Sequence, residues 1–382
     1  MRIVDSSLVM MGRATVRVGD FIKRHPIYTV VVAALLFIIF VAVASLYSNA
    51  VVWNLGTAQG LAVGRGGTPS IMQTFVQYDG FQYTHIAQYG YTNSSYTAFL
   101  PFYPILVRTV AHVLPVSVGW AALLVSWASL CGAAIVVYKW VTFETVRRGT
   151  KISPWVTLGL IAIFPTAFYL SLPYTESLFI LLNVSALLLY RKRLYLWAGL
   201  VAALAGATRF QGVLLLAFFA FDFLFDGERK DYKKLIPIVL GSLGMVAYMA
   251  YLGVHFGNPL EFLVAEKGWG RLHGNLILNL IYSMRPLYLW FMPVLAMGLW
   301  SIWKYLGKSY FWYSLLFTLL PLSSGKLDSI NRYMLSLTPM FLGFAMLAQN
   351  KAPKQLRLLY IVSSAFLLAW SILLFANGYW VA

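Results

Sequence analysis

Apolar runs close to bilayer length recur along the whole chain, and they constrain it more than any single motif does. The first reads YTVVVAALLFIIFVAVASLYS and starts at position 28. Further runs lie near 118–140, 154–172, 176–190, 194–208, 212–225, 235–254, 286–303, 310–325, 333–349 and 357–378. A hydrocarbon layer about 30 Å thick takes about 20 apolar helical residues, so the pattern predicts about eleven spans. Backbone groups in lipid have no water to bond, so helices rather than an open sheet must carry the chain across. Of 382 residues, 60% are hydrophobic and 11% charged, more apolar surface than a soluble core of this length can bury. The expected fold class is an all-α polytopic membrane protein. A basic segment, 1–27, precedes a multi-spanning domain, 28–382. The first run is too long for the apolar region of a signal peptide and begins too far into the chain, which predicts an uncleaved span. The stretch before it fits either an amphipathic surface helix or a disordered basic tail. The single Cys131 lies inside an apolar run, which excludes an intrachain disulfide and a cysteine-based zinc site.

The formal net charge of +17 reads first as topology. With the N-terminus inside, most basic residues fall in the tail and in segments 139–151, 191–193, 229–234, 304–308 and 351–357. That is the positive-inside pattern, so the charge is not a nucleic-acid footprint. The basic residues left outside are Arg65, Arg108, Arg209, Lys267, Arg271, Arg285, Lys326 and Arg332. The acids there are Asp79, Glu176, Glu261, Glu266 and Asp328, and His85, His112, His255 and His273 join them. Orientation does not require outer cations, which leaves an anionic ligand or lipid headgroups as their partners. The short chain and compact loops favour a prokaryotic plasma membrane over the endoplasmic reticulum. In the second case the NSS at Asn93 would be a glycosylation site.

The first outer loop, about 50–117, is long for a packed bundle. Its Gly-rich LGTAQGLAVGRGG lacks the strand and the Lys-Ser/Thr of a phosphate loop, so it reads as a plain loop. FVQYDGFQYTHIAQYGY follows, with Asp79 among aromatics and amides. A helix beginning there puts Gln82 and Tyr83 on the face of Asp79 and His85 elsewhere. Two readings of Asp79 stand: a helix N-cap, or a general base that takes a proton from a sugar hydroxyl. AFLPFYPILVRTVAHVL reads as an interfacial helix with Tyr103 and Arg108 at headgroup level. In PTAFYLSLPYTESLF, local chemistry makes Thr175 a cap and Glu176 a first-turn acid. HFGNPLEFLVAEKGWGR offers Asn258 as N-cap, Pro259 at the first helical position and Glu261 for a capping box. Capping leaves Glu266, Lys267, Trp269 and Arg271 unexplained. An aromatic beside two cations suits a sugar ring joined to a phosphate. In PLSSGKLDSINRYML, Asp328 and Arg332 stand four apart, as a helix-surface pair would. Alternatively, Lys326 and Arg332 hold a lipid-linked phosphate. Arg209 in GATRFQG reads as a snorkelling side chain. The histidines have no metal-ligand spacing, and a divalent metal is not expected.

Taken in order, YDGFQYTHIAQYGY, AFLPFYPILVR, PTAFYLSLPYTESLFILL, ATRFQGVLL, NPLEFLVAEKGWGR and PLSSGKLDSINRYMLSLTPMF resemble the PIG-V-like mannosyltransferases. The pieces run from about position 75 to 342. The resemblance implies a glycosyltransferase of the GT-C fold. Its donor would be polyprenyl- or dolichyl-phosphate mannose, used on the non-cytosolic face in an inverting transfer. It also implies that Asp79 is catalytic and that Glu176 and Arg332 belong to the site. That family usually has Trp where this chain has Tyr78, which bears on the acceptor. Glycan, glycolipid and protein acceptors stay open, and so do other sugars such as arabinose or glucose. The site residues expected beside Asp79 are Tyr78, His85, Glu176, Arg209, Glu266, Lys267, Trp269, Arg271, Lys326 and Arg332. A transporter or lipid flippase is the rival class. It would need ionisable residues within the spans, which are almost free of them, Asp222 lying near an inner end.

Overall fold

The computed structural model of the protein describes residues 20, 22–54, 71–225, 231–271, 291–324, 329–350 and 353–381. No strand occurs among them. In chain order the helices are α1 (Pro26–Asn54), α2 (Ile71–Phe75), α3 (Asp79–Tyr89), α4 (Phe102–Val113) and α5 (Val118–Arg147). Then come α6 (Pro154–Ala162), α7 (Glu176–Arg191), α8 (Tyr195–Thr208), α9 (Leu214–Phe225), α10 (Ile236–Phe256) and α11 (Glu261–Gly268). The last are α12 (Phe291–Leu306), α13 (Lys308–Ser323), α14 (Ile330–Ser336), α15 (Thr338–Asn350) and α16 (Lys354–Ala376). The protein is all-α and polytopic.

Among the described residues, four helical stretches are long and apolar enough to cross a membrane alone: Pro26–Val51 of α1, α5, Tyr232–Phe256 and α16. Other apolar runs give shorter pieces. The run 154–172 is not one span: α6 stops at Ala162, and a 3-10 turn, Ala167–Ser171, follows. Pro165 and Pro173 bracket that turn, and proline removes a backbone donor and clashes with the preceding turn. The run 333–349 divides at Leu337 into α14 and α15, with Pro339 in the first turn of the new helix, where proline is tolerated. Short apolar helices of this kind serve as core, and α7 is buried along nearly its whole length.

Helices α5 and α7 run parallel. Ser177 Oγ donates to the Ser126 carbonyl (3.1 Å) near one end, and Arg191 meets Glu144 (3.5 Å) at the other. From Ser126 to Glu144 at 1.5 Å per residue is roughly 27 Å, close to one hydrocarbon thickness. At the Glu144 end, its buried carboxylate also takes Arg147 (2.9 Å), Arg148 (3.0 Å) and the Tyr310 hydroxyl (2.8 Å). Arg191 goes on to Asp222 (2.6 Å), which receives Ser309 (3.1 Å). Segments grouped on one side by their charge thus meet at one end of the bundle. The Asp79 loop and α7's first residue lie at the other.

α8 and α10 pack through small residues. A Cβ added to Gly244 would lie 1.9 Å from the Ala203 carbonyl oxygen. Without a hydrophobic drive between helices in lipid, such close backbone approach carries the association. Gly244→Ala should therefore force α8 and α10 apart and lower stability by about 1–3 kcal/mol. Thermal unfolding in detergent checks this, and an unchanged midpoint would show that the contact gives way freely.

Two local expectations are corrected. Tyr103 does not face lipid headgroups: it is fully buried, with its hydroxyl against the Ala122 carbonyl (3.0 Å) and Ser126 (2.9 Å). Arg108 stays exposed but lies along α3, donating to the Ala87 (2.7 Å) and Gln88 (3.1 Å) carbonyls at its end, a cation satisfying orphan helix carbonyls. The helix after Asn258 starts later than expected, with Leu260 as its N-cap. The Asn258 amide donates to Glu261 (3.0 Å), whose other carboxylate oxygen accepts from Ser94.

Candidate functional site

Asp79 is the first residue of α3, not its N-cap. Tyr78 holds the cap position with φ 50° and ψ −119°, and its side chain makes no capping bond. A positive φ at a bulky non-glycine residue is strained, and such strain persists only where the surroundings enforce it. Here they do. The Tyr78 hydroxyl donates to the Gly378 carbonyl, and its ring meets Trp380 edge-on at 5.0 Å. One residue earlier, the Gln77 amide donates to the carbonyls of Thr74 (2.8 Å) and Phe375 (3.1 Å). The Gln77 carbonyl accepts from Tyr174 (2.8 Å). The turn that aims Asp79 is therefore tied to the end of α16 and to the 173–175 loop. Gly80 fits close beneath it, where an added Cβ would lie 3.3 Å from the Pro173 carbonyl oxygen.

The carboxylate of Asp79 points at Arg332, whose Nη1 donates to it at 2.7 Å. The same guanidinium gives Nε (2.9 Å) and Nη2 (2.8 Å) to Glu176 Oε1. Arg209 reaches that oxygen as well, at 2.7 Å, and donates to Thr175 Oγ1 (3.1 Å). Local reasoning about Thr175 and Arg209 fails here. Thr175 makes no capping bond, and Arg209 does not snorkel but is 8% exposed and paired. Glu176 is fully buried, which would be prohibitive for a lone charge and is sustained by two guanidinia. The rings of Tyr169, Tyr174 and Trp380 surround Arg332 at 4.6, 4.8 and 5.4 Å from its central carbon. Asp79 alone of these charged groups stays open, its side chain 31% exposed.

It opens into a cavity of about 450 Å³. Gln82 and Tyr83 line the same cavity, as the helical spacing predicts, and His85 does not. His85 stacks on Tyr96 (4.5 Å) and bonds Thr92 (3.2 Å) instead, so it does not join the site. Burial pushes the Tyr83 hydroxyl's pKa up, and the charge of Asp79 adds to this, so Tyr83 is a neutral phenol. Arg209, Glu266, Trp269, Arg271 and Tyr333 form further walls. Arg271 donates to Glu266 (2.7 Å) and to the Tyr333 hydroxyl (2.8 Å), and Trp269 Nε1 to the Ser95 carbonyl (2.9 Å). Lys267, on the exposed side of α11, is not a wall residue. Lys326 and the expected Asp328 partner of Arg332 lie outside the described residues. Within them Arg332 is bound to Asp79 and Glu176. Among the described residues no three His, Cys, Asp or Glu side chains group to hold a metal ion.

Sequence reasoning missed Tyr169, Tyr174, Tyr333 and Trp380. The two tyrosines at 169 and 174 flank Pro173 in a motif already singled out. Trp380 belongs to no motif, and a tryptophan at the end of an apolar run reads as an interface anchor.

The chain is similar to GPI mannosyltransferase 2 of Aspergillus fumigatus, with 27% identity over 266 residues, 58% of this chain and 55% of that protein. It thus spans about half the length of this curated relative. No family model matches the chain, and no solved structure matches it. A mannosyltransferase is thus a protein to which this chain, helical throughout its described residues, is similar.

Proposed function

We propose that this chain is an integral-membrane glycosyltransferase that moves mannose from a polyprenyl- or dolichyl-phosphate carrier to an acceptor hydroxyl on the non-cytosolic face, with inversion. One observation carries the reading: an open carboxylate, Asp79, set in a cavity beside buried guanidinia and aromatic walls. An acceptor hydroxyl hydrogen-bonded to Asp79 loses its proton to that carboxylate as its oxygen attacks the anomeric carbon. The bond from that carbon to the carrier's phosphate oxygen breaks on the opposite face. The sugar passes through an oxocarbenium-like state that the same carboxylate favours electrostatically. Charge gathers on the departing phosphate, where Arg209 and Arg271 in the cavity wall stabilise it. Glu176 touches neither substrate in this scheme. It holds Arg332, and Arg332 holds Asp79 in its aim at the cavity.

The similarity to a mannosyltransferase supports the choice of sugar. The transporter reading is disfavoured because, among the described residues, the buried charges gather towards the two ends of α5 and α7, with none between. Purified protein in lipid nanodiscs, given radiolabelled polyprenyl-phosphate mannose and a panel of glycolipid acceptors, should transfer label to a mannose-ended acceptor. Transfer from polyprenyl-phosphate glucose or arabinose instead would change the sugar and keep the class. Transport of the carrier across the bilayer without any transfer would replace the class.

A further inference from the structure

We propose that Trp380 is the aromatic platform on which a pyranose ring lies against Asp79. This rests on the sugar-transfer reading above. Past Ala376 the chain leaves α16 and turns through Gly378 (φ 85°) back over the site. The turn is not loose. The Asn377 amide donates to Ser48 Oγ (3.1 Å), and the Asn49 amide to the Ala376 carbonyl (2.8 Å). The hydroxyls of Tyr78 and Tyr169 donate to the carbonyls of Gly378 and Val381. Four groups on three parts of the chain, Ser48, Asn49, Tyr78 and Tyr169, therefore fix the backbone on both sides of Trp380.

The indole so held lines the cavity, one wall away from the carboxylate. Its edge contact with Tyr78 and its position over Arg332 use part of the ring, and 37% of the residue stays open. An interface anchor has no need to border a site; this one lines the cavity that holds Asp79. Ligand sites combine apolar aromatic walls with a few placed polar groups, and a hexose presents an apolar C–H face together with hydroxyls. Trp380 supplies the first element beside Asp79 and Arg332, which supply the second. Trp269 occupies the far group with Glu266 and Arg271, so the cavity offers two aromatic positions for a reaction that brings two sugars together.

Equilibrium binding to the full chain in nanodiscs tests this, with three probes: radiolabelled polyprenyl-phosphate mannose, polyprenyl phosphate without sugar, and a mannose-ended glycolipid. Trp380→Leu should weaken one of the two sugar-bearing probes about ten-fold and leave polyprenyl phosphate unchanged. Loss with the first places the donor's ring on the platform, and loss with the glycolipid places the acceptor's there. Trp380→Phe should weaken the same probe by a smaller factor, about three-fold. It also serves if the leucine variant does not fold, because it keeps the contacts with Tyr78 and Arg332 while shortening the platform. Unchanged affinities for both sugar probes in either folded variant would overturn the proposal. So would an equal loss for sugar-free polyprenyl phosphate, which would make Trp380 a brace for Tyr78 only. Wild-type transfer with unaltered Trp380 variants would sink this inference and leave the glycosyltransferase reading standing. Wild-type protein that binds neither sugar probe would end both.

Discussion

Asp79→Asn is expected to lower sugar transfer at least about a hundred-fold and leave the folded protein intact, since a positioned general base is worth roughly 10²–10⁴ in rate. The substitution keeps the side chain's shape, and the amide oxygen still accepts from Arg332 Nη1. It removes the proton acceptor and one partly open countercharge of Arg332. Arg332 keeps both of its bonds to Glu176, and the carboxylate being lost is the partly open one. Initial rates with saturating donor and acceptor, set beside the thermal midpoint in the same nanodiscs, check both halves. A variant that keeps its midpoint and more than a third of its rate would make Asp79 a positioning group. The search for a base would then pass to Glu266, which lines the same cavity.

Glu176→Gln should do the opposite kind of damage. Its carboxylate has no exposed surface and accepts from two guanidinia through one oxygen. Neutralising it leaves Arg209 and Arg332 buried with Asp79 as their nearby countercharge. Breaking a buried pair by removing one partner costs about 3–5 kcal/mol, a large share of a typical protein's stability. The expected result is a marked drop in recovered monodisperse protein and a lower thermal midpoint, with activity lost as well. A Glu176→Gln protein as stable as wild type would show that water reaches the cluster and that its burial is less complete. The pair of variants thus separates chemistry from architecture: one loses rate and keeps the fold, and the other loses both.

The long spans were legible in the sequence because hydropathy and length suffice for α1, α5, α10 and α16. The shorter runs were less so. Pro165 and Pro173 break what composition alone reads as a continuous span, and hydropathy does not distinguish a helix that crosses lipid from one buried inside the bundle. At the site, the residues were visible and their relations were not. Asp79, Glu176, Asn258 and Arg332 each have a satisfactory neighbour in sequence, whether a cap, a first turn or a residue four away. Local rules therefore give each a complete account. The actual partners of Arg332 lie 156 and 253 residues away. Arg209 went the same way: as an end-of-helix arginine it had a reason to snorkel, and only Glu176, brought beside it by α7, gives it a reason to stay in. The motif resemblance picked out Asp79, Glu176 and Arg332 together, but not that they form one cluster. Trp380 escaped both kinds of reading.

That distance in sequence has a consequence for how the protein is made. Ribosomes add about 5–20 residues per second, so roughly 10 to 50 seconds separate the synthesis of Asp79 from that of Arg332. Asp79 can wait on a loop in water. Glu176 cannot wait so easily, since it opens a helix that ends up wholly enclosed. Arg209, made at the end of the next helix, is the first cation that can join it. Arg332 then arrives to find an acid already accompanied and draws in the second. The carboxylate that does the proposed chemistry acquires its aim only after most of the chain has left the ribosome, so a nascent chain stalled before Arg332 would be embedded in the bilayer and inert.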